Sequence, residues 1–297
     1  MFRGELSVLA LALAVAGCNS VLGLDPTIAA DAAPTTDAPP PEPDLDRDGI
    51  LDVIDPCIAT AGDATADSES DAQDNTTDDC PFDATLGPNA DGDDIQDQCD
   101  PFPSLGGDRI RCVMAFGNPG LNARLWRQRP GETGWDFGEA RLIGFGTGTI
   151  VATAEIDAAH STSLDIYGSV SMNAGSQAFT VWLRTGLTAS ASDVGCRVSG
   201  DATSSELAIV HGGAPITMPL ARGFGSAIRM RATLEPQALG MNVRCEIDYV
   251  AFNPLDAPAL SARVEIPPSG KIGFAIENTT AGIAGLTIME RPSPGLP

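Results

Sequence analysis

Twelve residues from Asp44 to Asp55 carry oxygen-bearing side chains at positions 1, 3, 5, 9 and 12, with Gly49 at position 6 and Ile50 at position 7. A second stretch, Asn89 to Asp100, repeats that spacing with Asn89, Asp91, Asp93, Asp97 and Asp100, and with Ile95 at position 7. Alternate carboxylates in so short a loop repel one another by about 1 kcal/mol per close pair in water. A hard divalent cation reverses the sign of that interaction, and Ca²⁺ takes six to eight oxygen ligands from loops of this spacing. The expected ligands are Asp44, Asp46, Asp48, Asp52 and Asp55 with the Ile50 carbonyl in the first loop. In the second they are Asn89, Asp91, Asp93, Asp97 and Asp100 with the Ile95 carbonyl. Asp94 departs from the pattern by standing where a turn glycine is expected, although aspartate tolerates left-handed backbone better than most residues. The competing reading is an acidic linker that attracts cations without a defined site.

The elements around the loops discriminate between calcium families. Pro56 and Pro101 directly follow position 12 and no helical pattern comes after, which disfavours an EF-hand or dockerin. The run Asp79-Cys80-Pro81 through Asn89, Asp91, Asp93, Asp97 and Cys99 instead resembles a thrombospondin type 3 repeat. That resemblance covers residues 44–101 and implies chain wrapped around calcium with little hydrophobic core. It also implies a Cys80–Cys99 disulfide within one repeat, with the longer insertion from Ile58 to Asp79 as an acidic loop.

Acidity is concentrated in this part of the chain. Of 40 acidic residues, 22 lie between Asp25 and Pro101 against the single base Arg47, whereas Phe102 to Pro297 is nearly balanced. The skew points to a cation as partner and excludes nucleic acid, for which no basic face is present. At the amino end, Arg3 precedes an apolar run from Leu6 to Ala16 that suits a signal-peptide core (residues 1–17) and is too short to span a bilayer. Val15-Ala16-Gly17-Cys18 resembles a bacterial lipobox, which implies acylation at Cys18 and a membrane tether through lipid, with the outer membrane as the expected address. A plain secretory signal with an incidental cysteine is the alternative. Residues 18–43 are rich in Asp, Ala, Pro and Thr, cannot bury a core and read as a disordered linker.

Without Cys18, six cysteines remain, and in an exported chain they read as three disulfides. Cys196 and Cys245 each share the apolar face of a strand-like segment, which suggests a buried bridge between strands. Cys57 with Cys112 then follows by elimination, and would tie the acidic segment to what comes after. From residue 108 to 297 the sequence turns to period-2 alternation: Leu164, Ile166 and Val170; Phe179, Val181 and Leu183; Met241, Val243, Cys245 and Ile247. Turn clusters such as Ala174-Gly175-Ser176 separate these runs, and no credible helix intervenes. The expected fold is mostly β, with a carboxy-terminal antiparallel β-sandwich, a jelly roll of about twelve to fourteen strands.

The tail, Gly270-Lys271-Ile272-Gly273-Phe274 followed by Ala281 to Met289, resembles the closing strands of concanavalin A-like lectin/glucanase domains. Members of that superfamily include retaining glucanases with a Glu-x-Asp-x-x-Glu signature. Glu155-Ile156-Asp157-Ala158-Ala159-His160 matches it only in part, because His160 stands where the acid/base carboxylate is needed. The domain is therefore expected to be non-enzymatic. A polar face bearing Glu155, Asp157, Tyr167, Trp182 and Arg184 would suit glycan binding, with two aromatic platforms for stacking; packing of Trp182 beneath a loop is the competing reading. The combined expectation is a calcium-binding, lipid-anchored envelope protein whose partner is a polysaccharide or another envelope protein.

Overall fold

The computed structural model describes residues 80, 87–93, 95–114, 116, 123–138, 141–153, 156–157, 160–172, 175–220, 227–237, 240–248, 258–265 and 269–292. The first calcium loop, Cys18, Cys57 and Glu155 lie outside these residues, and so does the whole of 1–43. The description below concerns the unit Asp44–Pro297.

In chain order the strands are β1 (Arg109–Met114), β2 (Trp126–Gln128), β3 (Trp135–Phe137), β4 (Leu142–Ala152), β5 (Ile156–Asp157), β6 (His160–Met172) and β7 (Gln177–Thr185). They continue as β8 (Val194–Gly200), β9 (Ser205–Val210), β10 (Ile216–Leu220), β11 (Ala227–Pro236), β12 (Met241–Asp248), β13 (Ala259–Val264) and β14 (Ser269–Pro292). All pairings are antiparallel, in the order β10-β9-β8-β7-β14-β6-β11-β12-β13. The predicted all-β sandwich is what the chain forms.

The hinge of this architecture is β14. Its first part, Lys271–Glu277, pairs with β7, and its second part, Thr279–Pro292, pairs with β6. Between them the register shifts and Asn278 takes a left-handed φ of 49°, a conformation asparagine tolerates better than most residues. β4 runs along both parts, and β1 pairs with the last turn of the same strand. The sheet thus folds into a first layer (β10-β9-β8-β7-β14-β4, with β2 and β3 on β4) and a second (β13-β12-β11-β6-β14-β1). The Cys196–Cys245 disulfide joins β8 to β12 across the gap, as the shared apolar face predicts, and both cysteines are fully buried.

Period-2 alternation explains the core. Leu164, Ile166, Phe179, Val181, Met230 and Val243 are all buried in one cluster between the layers. Toward the β4 end the gap is filled by rings: Trp126 stacks on Phe274 at a centroid distance of 5.1 Å, and Phe179 lies parallel to the same ring at 6.3 Å. Turn chemistry fixes the hairpins. Between β8 and β9, Asp201 Oδ1 accepts N–H bonds from Thr203 at 2.8 Å and Ser204 at 2.9 Å, and these bonds, with the Thr203 hydroxyl first among them, hold its carboxyl down at about 2.

The outer face of the second layer departs from what alternation predicts. Asp165, Arg229 and Arg231 occupy the polar positions of β6 and β11, yet each is at most 6% exposed. The end of the acidic segment lies over them. Arg231 donates to the carbonyls of Cys99 (2.9 Å) and Asp100 (3.0 Å), and Cys80, Ile95 and Cys99 form a small apolar cluster with Met289 of β14. Cys80 and Cys99 are disulfide-bonded, as the repeat resemblance implies. Cys112 is disulfide-bonded as well, with its partner outside the described residues. The described part of the acidic segment, which adds only Cys80, Ile95 and Cys99 to this small cluster, is thus docked on the sandwich.

Candidate functional site

Two places on the molecule could do chemistry. In the acidic loop, short-range side-chain bonds shape the turn. Asp93 Oδ1 accepts from Ile95 N at 2.9 Å, Asn89 Oδ1 from Gly92 N at 2.7 Å and Asp97 Oδ1 from Ala90 N at 2.7 Å. The turn's left-handed residue is Gly92, with φ of 77°. Asp91, Asp93 and Asp100 each bring a carboxylate oxygen into a set lying within 4.8 Å of one another. Asn89 and Asp97 hold the turn through backbone N–H groups, and Asp97 is not in that set.

Sequence spacing missed a fourth acid. Asp108, directly before β1, belongs to neither twelve-residue motif. Its backbone N–H donates to Asp93 Oδ2 at 2.9 Å, beside a second bond from Gly107 N at 3.1 Å, which brings its carboxyl up against that of Asp100. Asp108 is only 3% exposed, and neither of its oxygens has a donor among the described residues; the same holds for Asp91 Oδ2 and Asp100 Oδ2. Burial, and next the facing Asp100, pushes the Asp108 carboxyl up to about 8; burial likewise raises Asp100 to about 6.

These shifts fix the sign of a pH effect in the metal-free protein. Between the unperturbed carboxylate range and pH 8 the folded state holds more protons than the unfolded state, so stability falls as pH rises through that window. In excess chelator, thermal unfolding should therefore occur at a higher temperature at pH 5 than at pH 8. A midpoint independent of pH would contradict the burial of Asp100 against Asp108.

The second place is the outer face of the first layer. Trp182 on β7 pairs with Gly195 of β8 on one side and Gly273 of β14 on the other. Its ring lies over Gly195: a Cβ built there would stand 3.0 Å from a ring carbon and 2.3 Å from the Val181 carbonyl. Trp182 is half-buried, and its Nε1 donor has no partner among the described residues. On the same face Arg197 pairs with Glu277 at 2.9 Å, both partly exposed.

The five residues predicted to share a ligand face are not brought together. Tyr167 is on the second layer, with Arg229 4.5 Å above its ring. The core-facing side chains of the two layers point at one another, so Tyr167 and Trp182 face opposite directions. Arg184 is 1% exposed, with its stem packed at Gly270. Asp157 sits in β5 opposite Ser269, and its side chain, like Glu155, lies outside the described residues. Of the five, Trp182 alone is a described side chain partly open on the first layer's outer face.

The sequence matches no protein-family model and no curated protein. Among solved structures, the chain is similar to a prokaryotic β-1,3-1,4-glucanase (lichenase) from a mouse hindgut metagenome, with 11% identity and a TM-score of 0.45 over 63% of this chain and all of that one. A basic winged bean lectin gives 10% identity and a TM-score of 0.43 with the same coverage. A carbohydrate-binding module (CBM66) from Bacillus subtilis gives 16% and 0.36 over 54% of this chain and 91% of that one. The expectation of a non-enzymatic domain does not stand: glucanases as well as lectins are among the similar solved structures.

Proposed function

We propose that the sandwich is a glycan-recognition domain that engages polysaccharide through the outer face of its first layer. The reading rests on Trp182, whose ring approaches Gly195, with a glycine on each neighbouring strand and an ion pair on the same face. An aromatic ring offers the apolar face of a sugar a stacking surface, and the partly exposed Arg197–Glu277 pair offers hydrogen bonds to its hydroxyls. The proposal includes calcium as an architectural ion of the acidic segment, held in the described loop through Asp91, Asp93 and Asp100. Oxygen ligands at 2.3–2.6 Å from a Ca²⁺ lie at most about 5 Å apart, which these three satisfy. It also includes acylation at Cys18, which would tether the chain to the outer membrane and place the domain against envelope or environmental polysaccharide.

Retention of the full chain on immobilised polysaccharides tests the glycan reading. Trp182→Ala should weaken retention by about ten-fold or more, as for a buried aromatic anchor. Unchanged retention, or no retention of the wild-type chain on any glycan, would refute it. Release of reducing ends from the same polysaccharides reads hydrolysis separately.

A further inference from the structure

We propose that Asp108 is a metal ligand supplied from outside the acidic loop, so that one divalent cation clamps the loop to the strand that enters the sandwich. This rests on the calcium reading of the loop and goes beyond it, since no twelve-residue motif includes Asp108. Three observations converge. Asp91, Asp93 and Asp100 already share a space the size of a coordination shell. The Asp108 carboxyl, though not itself in that set, is more than nine-tenths buried and shares a side-chain hydrogen bond with the Asp100 carboxyl, and neither of its oxygens has an N–H or hydroxyl donor among the described residues. Its own N–H is given to Asp93, so the fourth acid is held to the cluster by backbone as well as by position.

The nearby cations give neither oxygen of Asp108 a hydrogen bond, although Arg291 Nη1 is buried without a partner among the described residues. Arg291 attracts Asp108, but it lies over the Phe102 ring at 3.9 Å and 3.7 Å from Glu235, and it gives Asp108 no hydrogen bond. Arg111 approaches Glu290 at 3.8 Å, and Arg231 bonds to Asp165 and the Cys99 and Asp100 carbonyls. A cluster of four carboxylates, two of them buried, is relieved either by protons or by a multivalent cation. An all-oxygen set of this charge suits calcium, magnesium or manganese, and not a soft metal.

The clamp has a structural consequence. Asp108 directly precedes β1, and the Asp100 carbonyl accepts from Arg231 of β11. A cation on both acids therefore fastens the disulfide-bonded repeat to the second layer at two points.

The test uses the full chain and Ca²⁺ alone, read by calorimetry and by amide hydrogen exchange of the segment spanning residues 95–110. In the wild type, Ca²⁺ should protect this segment. Asp108→Asn should weaken the calcium response at least about ten-fold, while Asp136→Asn, exposed on β3 and outside the loop, should leave it as in the wild type. Folding of the variant is checked in chelator, where Asp108→Asn removes a buried acid packed against another acid and should raise Tm; the same substitution should lower Tm in saturating Ca²⁺. That opposite sign is the signature of a ligand. Wild-type protection retained in Asp108→Asn overturns the clamp and leaves calcium in the loop standing. An absence of calcium-dependent protection in the wild type overturns both.

Discussion

Asparagine in place of Asp165 should destabilise the sandwich by about 3–5 kcal/mol, the cost of leaving buried charge unpaired. Asp165 is 2% exposed and accepts from Arg229 Nε at 3.0 Å, Arg229 Nη2 at 2.6 Å and Arg231 Nη2 at 3.2 Å. Burial alone would raise its carboxyl, but the two guanidiniums outweigh burial and hold it below the usual carboxylate range. Asparagine fills the same volume, yet it leaves two positive charges facing one neutral amide. The carboxylate's contribution is present above its unfolded pKa and is lost as pH falls through its folded value, below about 4. This is the opposite sense to the Asp100–Asp108 effect and a separate window. The urea midpoint at pH 7 reads the effect, and a loss below about 1 kcal/mol would show that water or another anion compensates. Because Arg231 also holds the Cys99 and Asp100 carbonyls, the acidic segment should become protease-sensitive in the same variant.

Replacing Cys196 and Cys245 together by alanine should cost about 4 kcal/mol. A bridge closing 49 residues removes about that much free energy of disorder from the unfolded chain on the chain-entropy account. The two sulfurs are fully buried between the layers, so reductant reaches them only on unfolding. The intact protein should thus resist alkylation after mild reduction, and the double variant should unfold at lower urea. The Cys80–Cys99 bridge, with a separation of 19 residues, should contribute less, about 3 kcal/mol. A global loss from the Cys80–Cys99 pair equal to that from Cys196–Cys245 would reverse the predicted order.

The layered fold was legible because its signals are local. Leu164, Ile166, Phe179, Val181 and Val243 fall on the core side wherever period-2 alternation places them, and the shared apolar face of Cys196 and Cys245 anticipated their bridge. Asp165, Arg229 and Arg231 read as solvent-facing because alternation reports only which side a residue takes; what covers that side is a tertiary matter, here the docked acidic segment. Tyr167 and Trp182 seemed to share a face because β6 and β7 are adjacent in sequence. The two strands instead pair with different parts of β14, and the chain crosses from one layer to the other between Met172 and Gln177. Asp108 left no trace in the spacing: a lone acid after two glycines looks like a loop residue until the backbone folds it onto Asp93.

The hinge strand also dictates the order of folding. β14 is the last of the described strands, yet it supplies the ladder partners of β1, β4, β5, β6 and β7, and its pairing with β1 joins the first described strand to the last. Closing such distant contacts is slow, because chain entropy is lost before the pairing compensates for it. Until β14 arrives, β4, β6 and β7 lack the ladder it supplies and present long open edges, the form in which β-rich chains aggregate. The nascent domain therefore cannot complete either layer strand by strand during synthesis, and refolding yields should fall steeply with concentration.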